Sequence, residues 1–131
     1  MAHNVVRDNL NTWGHDISYD WTLHGSVKST SKERLREVAT LELNGVAEAD
    51  FVVVLLPGGS GTHLELGFAL AKGKTVFLHS EDSLLFELGP QTNAFYHHPD
   101  ITHLHCPLAK VGETVHTLLA QPTMAYTTAL T

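Results

Sequence analysis

The chain has 131 residues, 43% hydrophobic and 17% charged, a composition that suits one compact globular domain over residues 1–131. Its formal charge of -6 opposes binding to a nucleic-acid backbone, so no nucleic-acid partner is expected. No apolar run approaches the ~18 residues that span a membrane, the N-terminus lacks the apolar core of a signal peptide, and the lone Cys106 suits a reducing compartment. We therefore expect a cytoplasmic protein without a membrane partner.

The N-terminal part of the chain predicts two helices and a strand. Apolar side chains recur at helical spacing over residues 4–13 and alternate over residues 15–21, which indicates a helix followed by a strand. A second helix is predicted from Thr30 to about Ala49, because Thr30 and Glu33 have capping-box spacing.

The remaining elements also alternate between strands and helices. Residues 51–56 (FVVVLL) form an unbroken apolar run, typical of a strand buried on both faces of a parallel sheet. A helix is predicted from about Thr62 to Lys72, ended by Gly73 in the C′ position. The later elements are a strand at 75–79, a loop at 80–100, a short strand at 101–105 and a last helix at about 109–120.

Strands separated by helices predict an open parallel sheet with helices on both faces, which is a three-layer α/β fold of the Rossmann or flavodoxin-like type. Ligands bind such sheets beyond the carboxyl ends of the strands. Residues 20–22, 57–61 and 80–82 are expected at that rim.

A glycine-rich loop at this rim, in LLPGGSGTHLELG (residues 55–67), leads to Glu65. Its glycines permit positive φ and close backbone approach, and a helix start offers free N–H groups, so a sugar or phosphate can bind here. The spacing GGxG is neither a Walker loop nor a GxGxxG fingerprint. The predicted binding residues are Gly58, Gly59, Ser60 and Gly61.

Glu65 has two interpretations. In the first turn of the predicted helix, the dipole favours an ionised carboxylate, which can attack or stabilise an electron-poor sugar carbon. Alternatively, Thr62 and Glu65 fit T-x-x-E, a capping box in which the carboxylate only satisfies a backbone N–H.

Glu42 is a second candidate carboxylate. It falls in the middle of an apolar stripe that includes Val38 and Val46, where a charged group needs a partner or a purpose. Glu42 either snorkels or pairs with a basic side chain, or it points into the site beside Glu65 and tunes its protonation or holds a sugar hydroxyl.

With these residues the chain resembles the nucleoside 2-deoxyribosyltransferase family and the related nucleotide N-glycoside hydrolases. The resemblance runs from HDISYDWT (15–22) through ADFVVVLLPGGSGTHLELGFALAKGKTVFLHS (49–80). PGGSGTHLE also resembles the loop of the phosphoribohydrolases, and all these enzymes break a bond between a sugar and a nucleobase. The resemblance implies that Glu65 is the nucleophile and that Glu42 matches an acidic residue, usually aspartate, eight positions before Asp50.

The chain departs from the family in two places. The aspartate that deoxyribosyltransferases carry six residues before the nucleophile is Gly59 here. Relatives also open with a hydrophobic strand and a small-residue loop, whereas this chain begins inside the helix that follows them. In the family's 2-1-3-4-5 order that strand is central, so its absence leaves residues 15–21 and 51–56 without their shared neighbour, unless the sheet closes in another way.

Three further side chains are predicted to contact the substrate. Asp20 and Trp21 end a strand at the rim, where Trp21 either stacks on a base or belongs to the core. Asn93 lies in the loop QTNAFY (91–96), whose counterpart in the family often reaches into a neighbouring subunit's site, which implies a homo-oligomer. The alternative is a surface loop with its aromatic side chains packed beneath it.

Metal binding and thiol chemistry have weaker support in the sequence. Ten histidines, several of them in HHPDITHLHC (97–106), raise the possibility of a zinc site, but this segment has no recognised ligand spacing. Nothing in the sequence marks a base or oxyanion partner for Cys106. No metal and no cofactor are therefore predicted.

Together, these features predict an enzyme that acts on the N-glycosidic bond of a (deoxy)nucleoside or nucleoside 5′-monophosphate. Glu65 attacks or stabilises the anomeric carbon, and Glu42 orients the sugar or Glu65. Water as acceptor makes the enzyme a hydrolase, and a second base makes it a transferase. The alternative is a catalytically silent nucleotide-binding or sensing module of the same fold.

Overall fold

The computed structural model describes residues 2–13, 16–17, 31–119 and 127–131. Strands and helices alternate through these ranges, as the sequence predicts. The helices are α1 (Ala2–Thr12), α2 (Lys32–Glu48), α3 (Ser60–Ala71) and α4 (Val111–Leu118), and the strands are β1 (Asp16–Ile17), β2 (Phe51–Leu55), β3 (Thr75–His79), β4 (Ile101–Leu104) and β5 (Thr127–Leu130). None of the helices in these ranges is long and apolar enough to cross a membrane.

The strands form one parallel sheet in the order β1-β5-β2-β3-β4. The middle strand, β2, pairs along its whole length with β3 and over three residues with β5. Its five residues are all buried, which matches the unbroken apolar run in the sequence.

Successive side chains of β2 enter two different cores, because they point to opposite faces of the sheet. One core lies under α2 and α3 and the other under α1 and α4, which confirms the three-layer α/β arrangement. The first core includes Val46, Val52, Val54, Leu66, Ala69, Leu78 and Ala129, and the second includes Val6, Leu10, Phe51, Val53, Phe77, Val111, Val115 and Leu130.

Strand β5 lies in the position between β1 and β2, for which the sequence predicts no strand. It lies between β1 and β2 and is parallel to both, with Thr128 opposite Phe51 and Ala129 opposite Val52. The ladder continues into Thr131, whose N–H donates to the Val53 carbonyl at 2.7 Å and whose carbonyl accepts the Leu55 N–H at 2.9 Å. The sheet therefore closes in another way, as the second sequence alternative allows, because a segment late in the sequence lies between β1 and β2.

Several helix boundaries differ from the predicted ones. Ser31, not Thr30, caps α2, and its hydroxyl accepts the Arg34 N–H at 3.0 Å. Helix α4 begins two residues later than predicted and follows a short 3-10 turn, Leu108–Lys110. Gly73 follows α3 with a φ of 70°, which confirms its predicted role at the helix end.

The loop between β3 and β4 is more regular than the sequence suggests. It contains 3-10 turns at Ser83–Leu85 and Ala94–His97. Tyr96 is buried in the core beneath α2 and α3, whereas its neighbour Phe95 is exposed. Tyr96 therefore packs beneath the loop, as the alternative interpretation of this segment predicts, whereas Phe95 does not.

The position of β5 predicts unequal effects for two leucine substitutions. Leu130 is only 7% exposed, whereas Leu118, on α4, is 51% exposed. We expect Leu130→Ala to lower the free energy of unfolding by roughly 2–5 kcal/mol, and Leu118→Ala to lower it by well under about 1 kcal/mol. Urea denaturation of both variants measures the difference, and equal small losses would contradict the burial of β5.

Candidate active site

Helices α2 and α3 bring Glu42 and Glu65 together on one face of the sheet. On α2, Glu42 lies between Val38 and Val46 at intervals of four residues, so it follows the buried side of the helix. On α3, Glu65 immediately precedes the buried Leu66. Both glutamates are half-buried, which is consistent with positions at the margin of the core rather than on the open surface.

The two carboxyl groups are hydrogen-bonded to each other. A carboxylate only accepts hydrogen bonds, so one member of the pair must carry a proton. Burial raises the pKa of Glu65 from 4.5 to about 8, and the hydrogen bond and negative charge of Glu42 add to that rise. Glu65 is therefore the protonated member at neutral pH.

Glu42 lies beside Glu65. Within the described ranges no salt bridge joins Glu42 to a basic side chain. This position matches the interpretation in which Glu42 points toward Glu65, and its role there stays a prediction.

Two sequence expectations about Glu65 are wrong, and both errors come from the start of α3. The helix begins at Ser60 rather than near Thr62, with Gly59 as its N-cap and no side-chain cap, so Thr62 and Glu65 do not form a capping box. Glu65 consequently lies in the second turn, where the helix dipole has little effect, and burial keeps it protonated instead of ionised.

The glycine loop needs its small residues for close approach rather than for left-handed backbone. A Cβ on Gly58 would lie 2.6 Å from the Thr62 side chain, whereas Gly59 and Gly61 have open space around them. None of these three glycines adopts the positive φ that glycine permits. The first N–H groups of α3 have no intrahelical acceptor, so the loop retains donors for a polar ligand.

His63 ties the glycine loop to the core. Its Nδ1 lies 2.8 Å from the Gly59 carbonyl oxygen, so this nitrogen carries a proton and donates. Its Nε2 lies 2.7 Å from the hydroxyl of the buried Tyr96, with which it forms a second hydrogen bond. Sequence reasoning missed both side chains, because nothing in their spacing marks a contact between residues so far apart in the chain.

The other predicted substrate contacts are not brought to the carboxyl pair by the described structure. Asn93 is exposed, and its side-chain oxygen accepts the Phe95 N–H at 2.8 Å as the cap of a 3-10 turn. Asp20 and Trp21 lie outside the described residues.

The histidine-rich segment and Cys106 have structural contacts of their own. His103 donates to the Tyr96 carbonyl at 2.6 Å and stacks on Phe86, and the ring of His98 accepts the Asp100 N–H at 3.0 Å. Burial raises the pKa of the Cys106 thiol, which disfavours the nucleophilic thiolate. Across the described part of the chain, no group of three or more histidine, cysteine, aspartate or glutamate side chains could hold a metal ion.

A cavity of about 530 Å³ lies at the carboxyl ends of β2 and β3, at the rim that the sequence predicts. It includes Pro57, next to the glycine loop, and also His79, Ser80 and Asp82. His79 was not predicted as a site residue. The available signal was a histidine at the last position of a buried strand that leads to this rim.

The parallel sheet with helices packed on both faces defines an α/β protein of the Rossmann-like class. A model of the family described as nucleoside 2-deoxyribosyltransferase matches residues 2–114, which is most of the sequence. The chain belongs to the nucleoside 2-deoxyribosyltransferase family. No curated protein and no solved structure gives a significant match. The match ends before β5, so the strand at the family's central position lies outside the matched segment.

The raised pKa of Glu65 predicts how stability depends on pH. The native state keeps this proton up to about pH 8, whereas an ordinary glutamate releases it near 4.5. The free energy of unfolding of the wild-type protein therefore falls as pH rises through that interval. In the Glu65→Gln variant the amide does not titrate and can still donate to Glu42. We expect the free energy of unfolding of Glu65→Gln, relative to wild type, to increase across this interval.

Urea denaturation at about pH 5 and about pH 9 measures this change. Glu48→Gln removes one exposed carboxyl from α2 and serves as the control for the loss of a single charge. A stability difference between Glu65→Gln and wild type that is the same at both pH values would contradict the protonated state of Glu65.

Proposed function

We propose that the protein cleaves or transfers the sugar at the N-glycosidic bond of a (deoxy)nucleoside or nucleoside 5′-monophosphate, with Glu65 as nucleophile. The observation that carries this proposal is the half-buried position of Glu65 beside Glu42, where burial and the neighbouring carboxyl raise the pKa of Glu65 to about 8. Membership of the nucleoside 2-deoxyribosyltransferase family supports the substrate class.

The shared proton gives the reaction a balanced first step. The proton of Glu65 passes to Glu42, and the Glu65 carboxylate then forms a bond to the anomeric carbon. As the carbon–nitrogen bond breaks, its electron pair stays on the base nitrogen, which takes the proton from Glu42. The family's aspartate is replaced by Gly59, and Glu42 would supply the base proton in its place.

The second step restores the starting state. Water or a second base attacks the anomeric carbon, its proton passes to Glu42, and Glu65 leaves as a carboxylate. The proton then returns to the hydrogen bond between the two glutamates. In this scheme Gly58 to Gly61 hold the sugar or its 5′-phosphate through the open N–H groups at the start of α3.

The loop is held for this task by His63 and Tyr96. His63 fixes the Gly59 carbonyl from one side, and the buried Tyr96 hydroxyl fixes His63 in turn. Preorganised donors stabilise a transition state better than mobile ones, because they need not reorient during the reaction. We therefore assign His63 and Tyr96 as positioning residues rather than catalytic ones.

The catalytically silent module is the competing function. Its main support in the sequence is the expected loss of the central strand, and β5 occupies that position. Three other expectations stay predictions: a single domain over residues 1–131, a cytoplasmic location and a homo-oligomer. The exposed Leu84, Leu88 and Phe95 on the loop between β3 and β4 support an oligomer, since exposed apolar side chains commonly mark interfaces.

Chromatographic release of free base from ribo- and deoxyribonucleosides and their monophosphates tests the proposal. We expect at least one substrate to release its base, and Glu65→Gln to abolish that release because its amide cannot form the glycosyl ester. Glu48→Gln is the matched control and is expected to retain activity. A folded protein that binds a nucleoside or nucleotide and releases no base would support the silent module instead.

Glu42→Gln predicts a change in the pH profile. In the proposed scheme the pair must hold one proton for the base, so the wild-type rate falls as pH rises through the Glu65 pKa, which is about 8. Replacing Glu42 removes its negative charge from beside Glu65 and removes the group that passes the proton to the base, so Glu65 of the variant must ionise to attack. The falling limb near pH 8 is therefore expected to be lost in Glu42→Gln.

The same substitution is expected to lower the maximal rate by roughly 10²–10⁴, because Glu42 transfers the proton to the base. The measurement is kcat/KM across the pH range for wild type and Glu42→Gln. A falling limb near pH 8 that persists unchanged in the variant would refute the coupling between the two carboxyls.

A further inference from the structure

A series of hydrogen bonds joins the edge strand β4 to the glycine loop. It begins at His103, whose Nε2 donates to the Tyr96 carbonyl at 2.6 Å. The Tyr96 hydroxyl lies 2.7 Å from Nε2 of His63, and Nδ1 of His63 donates to the Gly59 carbonyl at 2.8 Å. The series therefore connects the outer edge of the sheet with the N-cap of α3.

Tyr96 is the rigid middle of this series. Its ring is buried in the core beneath α2 and α3 and stacks on the His63 ring, with 5.8 Å between the ring centres. A tyrosine side chain has only two χ angles, so a shift of its backbone is passed on to its hydroxyl. The Tyr96 backbone is held by its N–H, which donates to the Asn93 carbonyl at 3.0 Å, and by the bond from His103. These contacts therefore also set the position of His63.

At the glycine loop, one carbonyl accepts two hydrogen bonds from His63. The ring donates to the Gly59 carbonyl, and so does the His63 backbone N–H at 3.2 Å, as expected for the first bond of a helix. Because both donors contact the same oxygen, a displaced ring alters the backbone bond as well. Solvent exchange of the His63 amide therefore reports on the position of the loop.

Two aromatic contacts orient the exposed His103 ring. It stacks face to face on the half-buried Phe86, with 4.1 Å between the ring centres and 8° between the planes, and His97 meets it edge-on at 5.4 Å. Stacking of this kind favours one ring orientation. His103 consequently keeps its bond to the Tyr96 carbonyl instead of turning towards solvent.

We propose that His103 is a positioning residue for the glycine loop, acting through Tyr96 and His63. Its hydrogen bond fixes the 3-10 turn Ala94–His97, the turn fixes the Tyr96 hydroxyl, and this hydroxyl fixes the ring that holds the loop. The value of this coupling for catalysis rests on the proposed function, in which the loop holds the sugar or its phosphate. The coupling itself does not depend on any reaction.

Two substitutions of His103 separate its hydrogen bond from its ring. His103→Phe keeps a ring against Phe86 and removes the donor, so we expect the His63 amide to exchange with solvent about fivefold faster. His103→Gln removes the ring and keeps an N–H donor, so its rate is expected to stay closer to that of wild type. Nuclear magnetic resonance measures these rates in the full chain. The Leu119 amide, bonded at the end of α4 on the other face of the sheet, is the internal control.

Tyr96→Phe tests the route of the coupling. It removes the hydroxyl and keeps the ring, so His103→Phe should no longer alter the His63 exchange rate in this background. An equal effect with and without the hydroxyl would overturn the proposal. An unchanged His63 rate in His103→Phe, or an equal acceleration at Leu119, would overturn it as well, because the second result indicates general destabilisation.

Phe86→Leu tests the coupling even if His103→Phe does not fold. It removes the ring that orients His103 and leaves the donor in place, so we expect the His63 amide to exchange about twofold faster. A rate equal to that of wild type would contradict the orienting contact on which the proposal depends.

Activity assays test the role of the coupling in catalysis. We expect kcat/KM for base release to be about fivefold lower in His103→Phe and close to wild type in His103→Gln. An unchanged kcat/KM in His103→Phe, together with faster His63 exchange, would refute the positioning role. Absence of base release from the wild-type protein would refute the proposed function instead, and the amide measurements would still decide the coupling.

Discussion

The rest of the structure depends on the burial of β2 on both faces. The strand is hydrogen-bonded along both edges, to β3 and to β5, and its alternate side chains enter two separate cores. A strand in that position tolerates no unpaired polar group along its length. Polar side chains therefore collect beyond its carboxyl end, where the backbone leaves the sheet and the glycine loop begins.

The carboxyl pair works against stability. Glu42 occupies a position on α2 between two buried valines, where an apolar side chain would pack better. Burial and the neighbouring Glu42 make Glu65 harder to ionise, so the native state loses stability as pH rises towards the Glu65 pKa. A carboxyl pair that lowers stability in this way is a candidate functional site.

The sequence predicted those features that a single local pattern determines, and it did not predict those that depend on how the helices pack. The apolar run predicted β2, and the glycine after α3 predicted the end of that helix. The apolar stripe around Glu42 indicated its position beside Glu65. The start of α3 was missed because its first turn, Ser60-Gly61, reads as loop. The protonation of Glu65 was reversed because it depends on how closely α2 approaches α3, and sequence does not contain that distance.

Strand β5 was missed for another reason. Its four residues, TTAL, are too short to show a period, and its position between β1 and β2 depends on pairing over a long sequence separation. The contact between the buried His79 ring and the Cys106 carbonyl is likewise invisible in sequence, because it joins residues far apart in the chain.

The central place of β5 has a consequence for the order of folding. Its partners in β2 precede it by more than half the chain, so the pairing that joins β1 to the rest of the sheet is among the most non-local in the molecule. Loop-closure entropy delays such contacts, and a ribosome delivers this segment after the other strands of the described ranges. Until it docks, β1 and β2 present open edges on which a second nascent chain can pair. During synthesis the sheet is therefore split into two parts until β5 joins them.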